Sequence, residues 1–127
     1  MITLREDRDI DLDALIRLRS RCEFAAHPRD SLAQQLDGAR WLVHAYDGDR
    51  LVGFSRAISD GVTNAYVSSV MVDPDYRRRG IGRDMLQRLI ADRRSVRFVL
   101  HTRDTAAPFY AALGFVEWTH MLVRDRS

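Results

Sequence analysis

A chain of 127 residues, 46% hydrophobic and 30% charged, has the size and make-up of one globular domain with a buried core. Its 20 basic and 18 acidic side chains leave a formal charge of +2, too even a mixture for a nucleic-acid protein. No apolar run approaches the roughly 18–20 residues of a membrane span, and every basic residue is arginine, which excludes Schiff-base and P-loop lysine chemistry.

Met1–Asp7 lacks an apolar signal core, and Ile2–Arg5 reads as a first strand. Leu12, Leu15, Ile16, Leu18 and Cys22 keep to one arc at 3.6 residues per turn, predicting an amphipathic helix capped by Asp11. Cys22 is the one cysteine, so no internal disulfide forms; this suits a reducing cytoplasm and a buried, structural thiol. Pro28 breaks the chain, and Asp30 or Ser31 caps a second helix through Leu36 that stops near Gly38. Trp41–Tyr46 and Leu51–Ile58 flank Asp47-Gly48-Asp49-Arg50, a hairpin signal. A turn at Asp60-Gly61 leads into a strand over Ala65–Val72, ended by Asp73-Pro74. Helix resumes at Ile81, with Met85, Leu86, Leu89 and Ile90 on the same face and Asp84–Arg88 as an i,i+4 pair. Val96–His101 reads as a fifth strand. Asp104 or Thr105 caps a last helix that carries Pro108 in its first turn and ends at Gly114. Phe115–Arg124 is predicted as a final strand, which gives a mixed α/β sheet with a β-α-β crossover.

The strongest chemical signal is Val70-Met71-Val72-Asp73-Pro74-Asp75-Tyr76-Arg77-Arg78-Arg79-Gly80-Ile81-Gly82. A strand stops at Asp-Pro and the chain turns through two glycines into a helix. Glycine lets backbone N–H groups approach a ligand closely, and the helix start favours an anion. The spacing is neither the dinucleotide fingerprint nor a Walker loop. It points to phosphate binding, against a tight turn with a solvated arginine run.

This segment resembles motif A of the GNAT acyltransferase superfamily, Gln/Arg-x-x-Gly-x-Gly/Ala, filled here by Arg77, Gly80 and Gly82. Downstream, Phe109-Tyr110-Ala111-Ala112-Leu113-Gly114-Phe115 is similar to the family's Phe-Tyr-x-x-x-Gly-Phe segment. The resemblance implies an α/β (α+β) acyl-CoA N-acyltransferase fold over residues 1–127. Its sheet is mixed, mostly antiparallel and six- to seven-stranded, and is flanked by four helices. It implies acetyl-CoA as cosubstrate, no metal, and direct transfer of the acetyl group to the amine of a small acceptor. Backbone groups of Val70, Met71 and Val72 are implied to meet the pantetheine arm as a further strand would. Arg77, Arg78, Arg79, Gly80, Ile81, Gly82 and Arg83 are implied to cradle the pyrophosphate, and Tyr110 takes the position of the general acid. A phenol keeps its proton at neutral pH and is a competent donor to a leaving thiolate.

Three departures from the family pattern stand out. Relatives often carry an acidic residue on the fourth strand, where this sequence has Ser68-Ser69; the base is left among His27, His44, His101, Asp60, Glu23 and a water chain. Arg103 replaces the usual Asn before the last helix. Little chain remains for a seventh strand, so that strand is merged or absent, or a partner covers the edge in a homodimer. Glu23, Phe24, His27 and Trp41 are candidates to line the acceptor cleft, with Glu23 and Asp60 able to attract a cation. Two rival readings are a non-catalytic acyl-CoA-binding regulator and a nucleic-acid module using Arg77–Arg79, Arg83 and Arg88. The even charge balance counts against the second, and neither nucleic acid nor membrane is expected as a partner.

Overall fold

In the computed structural model, which describes residues 1–127, the elements are β1 (Ile2–Arg5), α1 (Leu12–Arg21), α2 (Arg29–Gly38), β2 (Trp41–Asp47), β3 (Arg50–Ser59), β4 (Asn64–Val72), α3 (Ile81–Ile90), β5 (Arg97–Leu100) and α4 (Ala107–Ala112). Short 3-10 turns over Pro74–Tyr76 and Asp104–Ala106 precede α3 and α4. The strands form one sheet in chain order, antiparallel from β1 to β4, with β5 parallel to β4 across the α3 crossover.

Side chains alternate across a strand, so each strand feeds two cores. On one face Leu42, Tyr46, Phe54 and Met71 pack with Leu15 and Leu18 of α1 and Leu36 of α2. On the other, Val43, Ala45, Ala57, Ala65 and Val67 pack with Ile81, Met85, Leu86 and Leu89 of α3. Gly53 lets α3 sit close: a Cβ there would stand 3.0 Å from Met85 Sδ.

Strand β4 changes phase in its middle. Between the pairs Phe54–Met71 and Arg56–Ser68 it carries one residue more than β3, and Ser69 takes a left-handed φ of 61°. This is a β-bulge. Before it Ala65 and Val67 face α3; beyond it Val70 and Val72 take over that face and Met71 turns to α1.

Several predicted details need correction. Phe115–Arg124 forms no strand, so the sheet has five strands, not six or seven, and no strand pairs with the outer edge of β5. Val116, Leu122 and Val123 in that segment are exposed, so its apolar pattern finds no face to bury. The Asp84–Arg88 pair is not made: Arg88 reaches Glu6 and Asp84 takes Arg83, because the sheet brings Glu6 over the helix. Helix α2 starts at Arg29 behind Pro28, with no side-chain cap, and neither Asp104 nor Thr105 caps α4. Asp11 does cap α1 through the N–H groups of Asp13 and Ala14. No helix is long and apolar enough to cross a membrane.

Candidate active site

The glycine loop enters α3 through two left-handed residues, Arg78 at φ 65° and Gly80 at φ 80°. Gly80 is the N-cap and offers no side-chain cap. The first helical hydrogen bond runs from the Asp84 N–H to the Gly80 carbonyl, so the N–H groups of Ile81, Gly82 and Arg83 have no partner within the helix. Gly82 leaves a cradle: a Cβ there would stand 3.3 Å from Phe109 Cζ and 3.6 Å from Val72 Cγ2. Arg77 turns back, its Nε donating to the Val72 carbonyl at 3.1 Å, while the Arg79 guanidinium lies 4.9 Å from the Tyr76 ring centroid. These features fit a diphosphate: unpaired donors, a positive helix end, and flanking arginines.

A buried anchor fixes where the loop starts. Asp73 is fully buried and takes two hydrogen bonds from Arg21, at 2.8 and 3.0 Å, one from Arg50 at 3.1 Å and one from the Asp75 N–H at 2.9 Å. Burial alone would raise its carboxyl, but the Arg21 guanidinium, the Asp75 N–H and Arg50 outweigh it and hold it at about 2, below the usual 3.8. A group depressed on folding stabilises the fold above its unfolded value and loses that contribution as pH falls through the folded one. Asp73→Asn is therefore expected to cost about 2 kcal/mol at pH 7. Urea unfolding of the two proteins checks this: the gap should narrow as pH drops from about 4 towards 2, and a constant gap rejects the account. The sequence marked Asp73 only as a strand stop, because its partners lie 52 and 23 positions away.

β5 pairs with β4 only as far as Val67–Leu100. From Ser68 to Val72 that side of β4 has no strand beside it, and the gap opens next to the start of α3. Val70 and Val72 line the α3 face, whereas Met71 is buried against α1. The Val72 carbonyl also accepts from Cys22 Sγ at 3.3 Å. Burial, the largest influence, pushes that thiol up, which suits a structural residue.

Tyr110 of α4 is half-buried, edge-on to Phe109 at 5.0 Å and to Phe115 at 5.8 Å between ring centroids. Burial alone raises its phenol above the ordinary value, so it keeps its proton through neutral pH. At 3.6 residues per turn Phe109 and Leu113 would face the core with Tyr110 roughly 100° away; in the fold Leu113 does so, but Phe109 and Tyr110 exchange places. Phe109 leans over Gly82 and is 37% exposed, while Tyr110 and Leu113 pack towards the α3 core.

Among the base candidates, His44 is fully buried. Its Nε2 donates to the Asp7 carbonyl and its Nδ1 accepts from the Tyr46 hydroxyl, both at 2.8 Å. Asp60 is spent on its own turn, taking the Thr63 hydroxyl at 2.7 Å and the Thr63 and Val62 N–H groups at 2.8 and 2.7 Å; these hold its carboxyl far below the usual range. Glu23 is exposed and forms the left-handed stop of α1 at φ 61°. His101 is exposed just past β5. His27 lines a recess with Phe24, Ile16, Arg19 and Leu32. Trp41 lies away from it on the α3 face, 6.0 Å from the Phe98 ring and beneath Arg93. No cluster of three His, Cys, Asp or Glu side chains able to hold a metal ion occurs.

Residues 14–126 match the family model described as an acetyltransferase (GNAT) domain. Serotonin N-acetyltransferase 2, chloroplastic, of Oryza sativa subsp. japonica is 32% identical over 118 residues, covering 87% of this chain and 59% of the relative. GCN5-related N-acetyltransferase 1, chloroplastic, of Arabidopsis thaliana is 35% identical over 86 residues, covering 65% of this chain and 43% of the relative. The chain thus spans about half the length of the curated relatives it matches. A probable acetyltransferase of unknown function from methicillin-resistant Staphylococcus aureus has the same fold, with a TM-score of 0.86 at 22% identity over 98% of this chain and 100% of the other. AAC(6')-Iy, solved with a bisubstrate analog, superposes at a TM-score of 0.74 and 18% identity over 100% of this chain and 99% of that one. On its sequence match and its fold alike, this chain belongs to the GNAT acetyltransferase family.

Proposed function

We propose that the protein transfers an acetyl group from acetyl-CoA to the amine of a small acceptor. The observation that carries this is the uncapped start of α3, with three unpartnered N–H groups beside Gly82, opening onto the unpaired end of β4. Ile81, Gly82 and Arg83 would hold the diphosphate, and the free side of Val70–Val72 would pair with the amide arm. The structure of AAC(6')-Iy was solved with a CoA-containing analog on the same fold, which supports acetyl-CoA as the cosubstrate.

When bound, acetyl-CoA supplies an activated acyl carbon. The amine nitrogen forms its bond to that carbon as the carbon–sulfur bond breaks. The electron pair leaves on sulfur, which takes the Tyr110 proton, and one amine proton passes to water, from which the phenol is refilled. The products are the N-acetyl amine and free CoA thiol.

No carboxylate stands beside Ser68 and Ser69, and Asp60 and His44 are committed elsewhere. The acceptor therefore enters as the free amine, whose fraction grows tenfold per pH unit below its pKa. kcat/KM is expected to rise with a slope near one up to the acceptor's own pKa. Tyr110, raised by burial, keeps its proton across that range. A plateau above an inflection near pH 6–7 would show a histidine base and reject this step. Thiol release over an amine panel and a thermal-shift titration with acetyl-CoA test the whole reading. No stabilisation at millimolar acetyl-CoA, together with no thiol release, rejects it.

A further inference from the structure

The recess between α1, α2 and the turn that joins them holds a buried guanidinium that forms no ion pair. Arg19 lies on the inner arc of α1 between Leu15 and Cys22 and is only 6% exposed. Its Nη2 donates to the Ala25 carbonyl at 2.8 Å, its Cζ lies 5.4 Å from the Phe24 ring centroid, and its buried Nε has no partner. The stop of α1 makes this arrangement: the Phe24 N–H returns to the Arg19 carbonyl at 2.9 Å, folding the ring onto the guanidinium. On the sheet, the half-buried Arg56 of β3 reaches the Ser69 and Ser68 hydroxyls at 3.4 and 3.3 Å. The chain's ion pairs use other arginines.

The third polar group here is also a donor. The Gln35 side-chain amide lies 2.8 Å from His27 Nδ1 and 3.2 Å from the Ser31 hydroxyl. With the amide N–H donating to Nδ1, the ring proton sits on Nε2. Burial and then the charges of Arg19, Arg126 and Arg56 lower the pKa of His27, so it stays neutral at pH 7. Burial lowers Arg19 as well, and burial followed by Arg19 lowers Arg56. A buried guanidinium is strongly unfavourable without a counter-charge, and its fork matches a carboxylate or a phosphate.

We infer that the acceptor carries an anionic group, a carboxylate or a phosphate, and that Arg19 receives it in the recess of about 290 Å³ between α1 and α2, with Arg56 of β3 adding its charge. This rests on the transferase reading and reverses the cation-attracting pocket expected from Glu23 and Asp60. Cys22, one turn beyond Arg19 on α1, donates to the Val72 carbonyl, which brings this end of α1 to the open end of β4, where the amine must meet the thioester.

The test compares matched acceptors at equal concentrations of free amine: L-phenylalanine against L-phenylalaninamide, and O-phosphoethanolamine against ethanolamine. The anionic member of at least one pair should show a kcat/KM about 10-fold or more above its neutral partner. The pair that responds tells carboxylate from phosphate. Arg56→Gln should collapse that ratio towards one, and Arg56→Lys should restore part of it. Equal or better turnover of both neutral members overturns the inference, as does a ratio that survives Arg56→Gln. Thermal shifts of the wild type with N-acetyl-L-phenylalanine and its amide, and with O-phosphoethanolamine and ethanolamine, read the recess without turnover. Stabilisation by the anion in a protein that ignores acetyl-CoA would sink the transferase reading and leave the recess standing. Acetyl-CoA stabilisation with no preference for either anion would do the reverse.

Discussion

Gly82→Asp is expected to abolish acetyl-CoA binding while leaving the melting temperature unchanged or higher. Gly82 is the second residue of α3, where a carboxylate meets free N–H groups and the positive end of the helix, worth about 0.3–1 kcal/mol. Replacing a helical glycine adds roughly 0.5–1 kcal/mol by reducing the freedom of the unfolded chain. Against this stands the new Cβ, 3.3 Å from Phe109 Cζ, but that ring is 37% exposed and can swing outwards. Stability thus roughly balances. Binding does not, because the new carboxylate takes the donors a diphosphate needs and repels it at contact distance. Calorimetry should show the Kd for acetyl-CoA raised by at least about 100-fold, and Gly82→Ala, which adds bulk without charge, by roughly 10-fold. Unchanged affinity in the charged variant would remove the start of α3 from the cosubstrate site.

The segment this prediction concerns was the most legible part of the sequence. A strand, Asp-Pro, an arginine run and two glycines opening an amphipathic helix are local features, fixed within a dozen residues. The loop and α3 follow that reading. The two cores were legible for the same reason, since helical and strand periodicities report burial directly. What failed depended on distant partners. Asp73 is an anchor only because α1 and β3 bring Arg21 and Arg50 to it. Phe115–Arg124 is rich in aromatic and apolar residues that suit a strand, yet the sheet ends at β5. The bulge at Ser69 leaves no mark beyond two serines, although it decides which β4 side chains face α3. Arg19 did leave a signal. It lies four residues after Leu15 and three before Cys22, where the helical period demands an apolar side chain, and a charge on a core arc asks for a partner. That signal is legible from spacing alone.

Tyr110→Phe is expected to lower kcat by about 10- to 100-fold with the affinity for acetyl-CoA unchanged. General acids typically contribute roughly 100- to 10,000-fold, and the lower end applies because a thiolate, with a thiol pKa of about 8–9, leaves tolerably without help. Phenylalanine keeps the edge-on contacts with Phe109 and Phe115, so the gap between β4 and α4 should keep its shape. Burial holds the phenol protonated where the thiolate most needs a proton, which gives the defect a pH signature. It should be largest near pH 7 and shrink above pH about 9, where the departing sulfur is stable as the anion. A defect that is flat with pH would point to packing instead of proton transfer, because the loss of a contact does not titrate. Full turnover in the variant would send the search for the proton donor back to the water of the open gap.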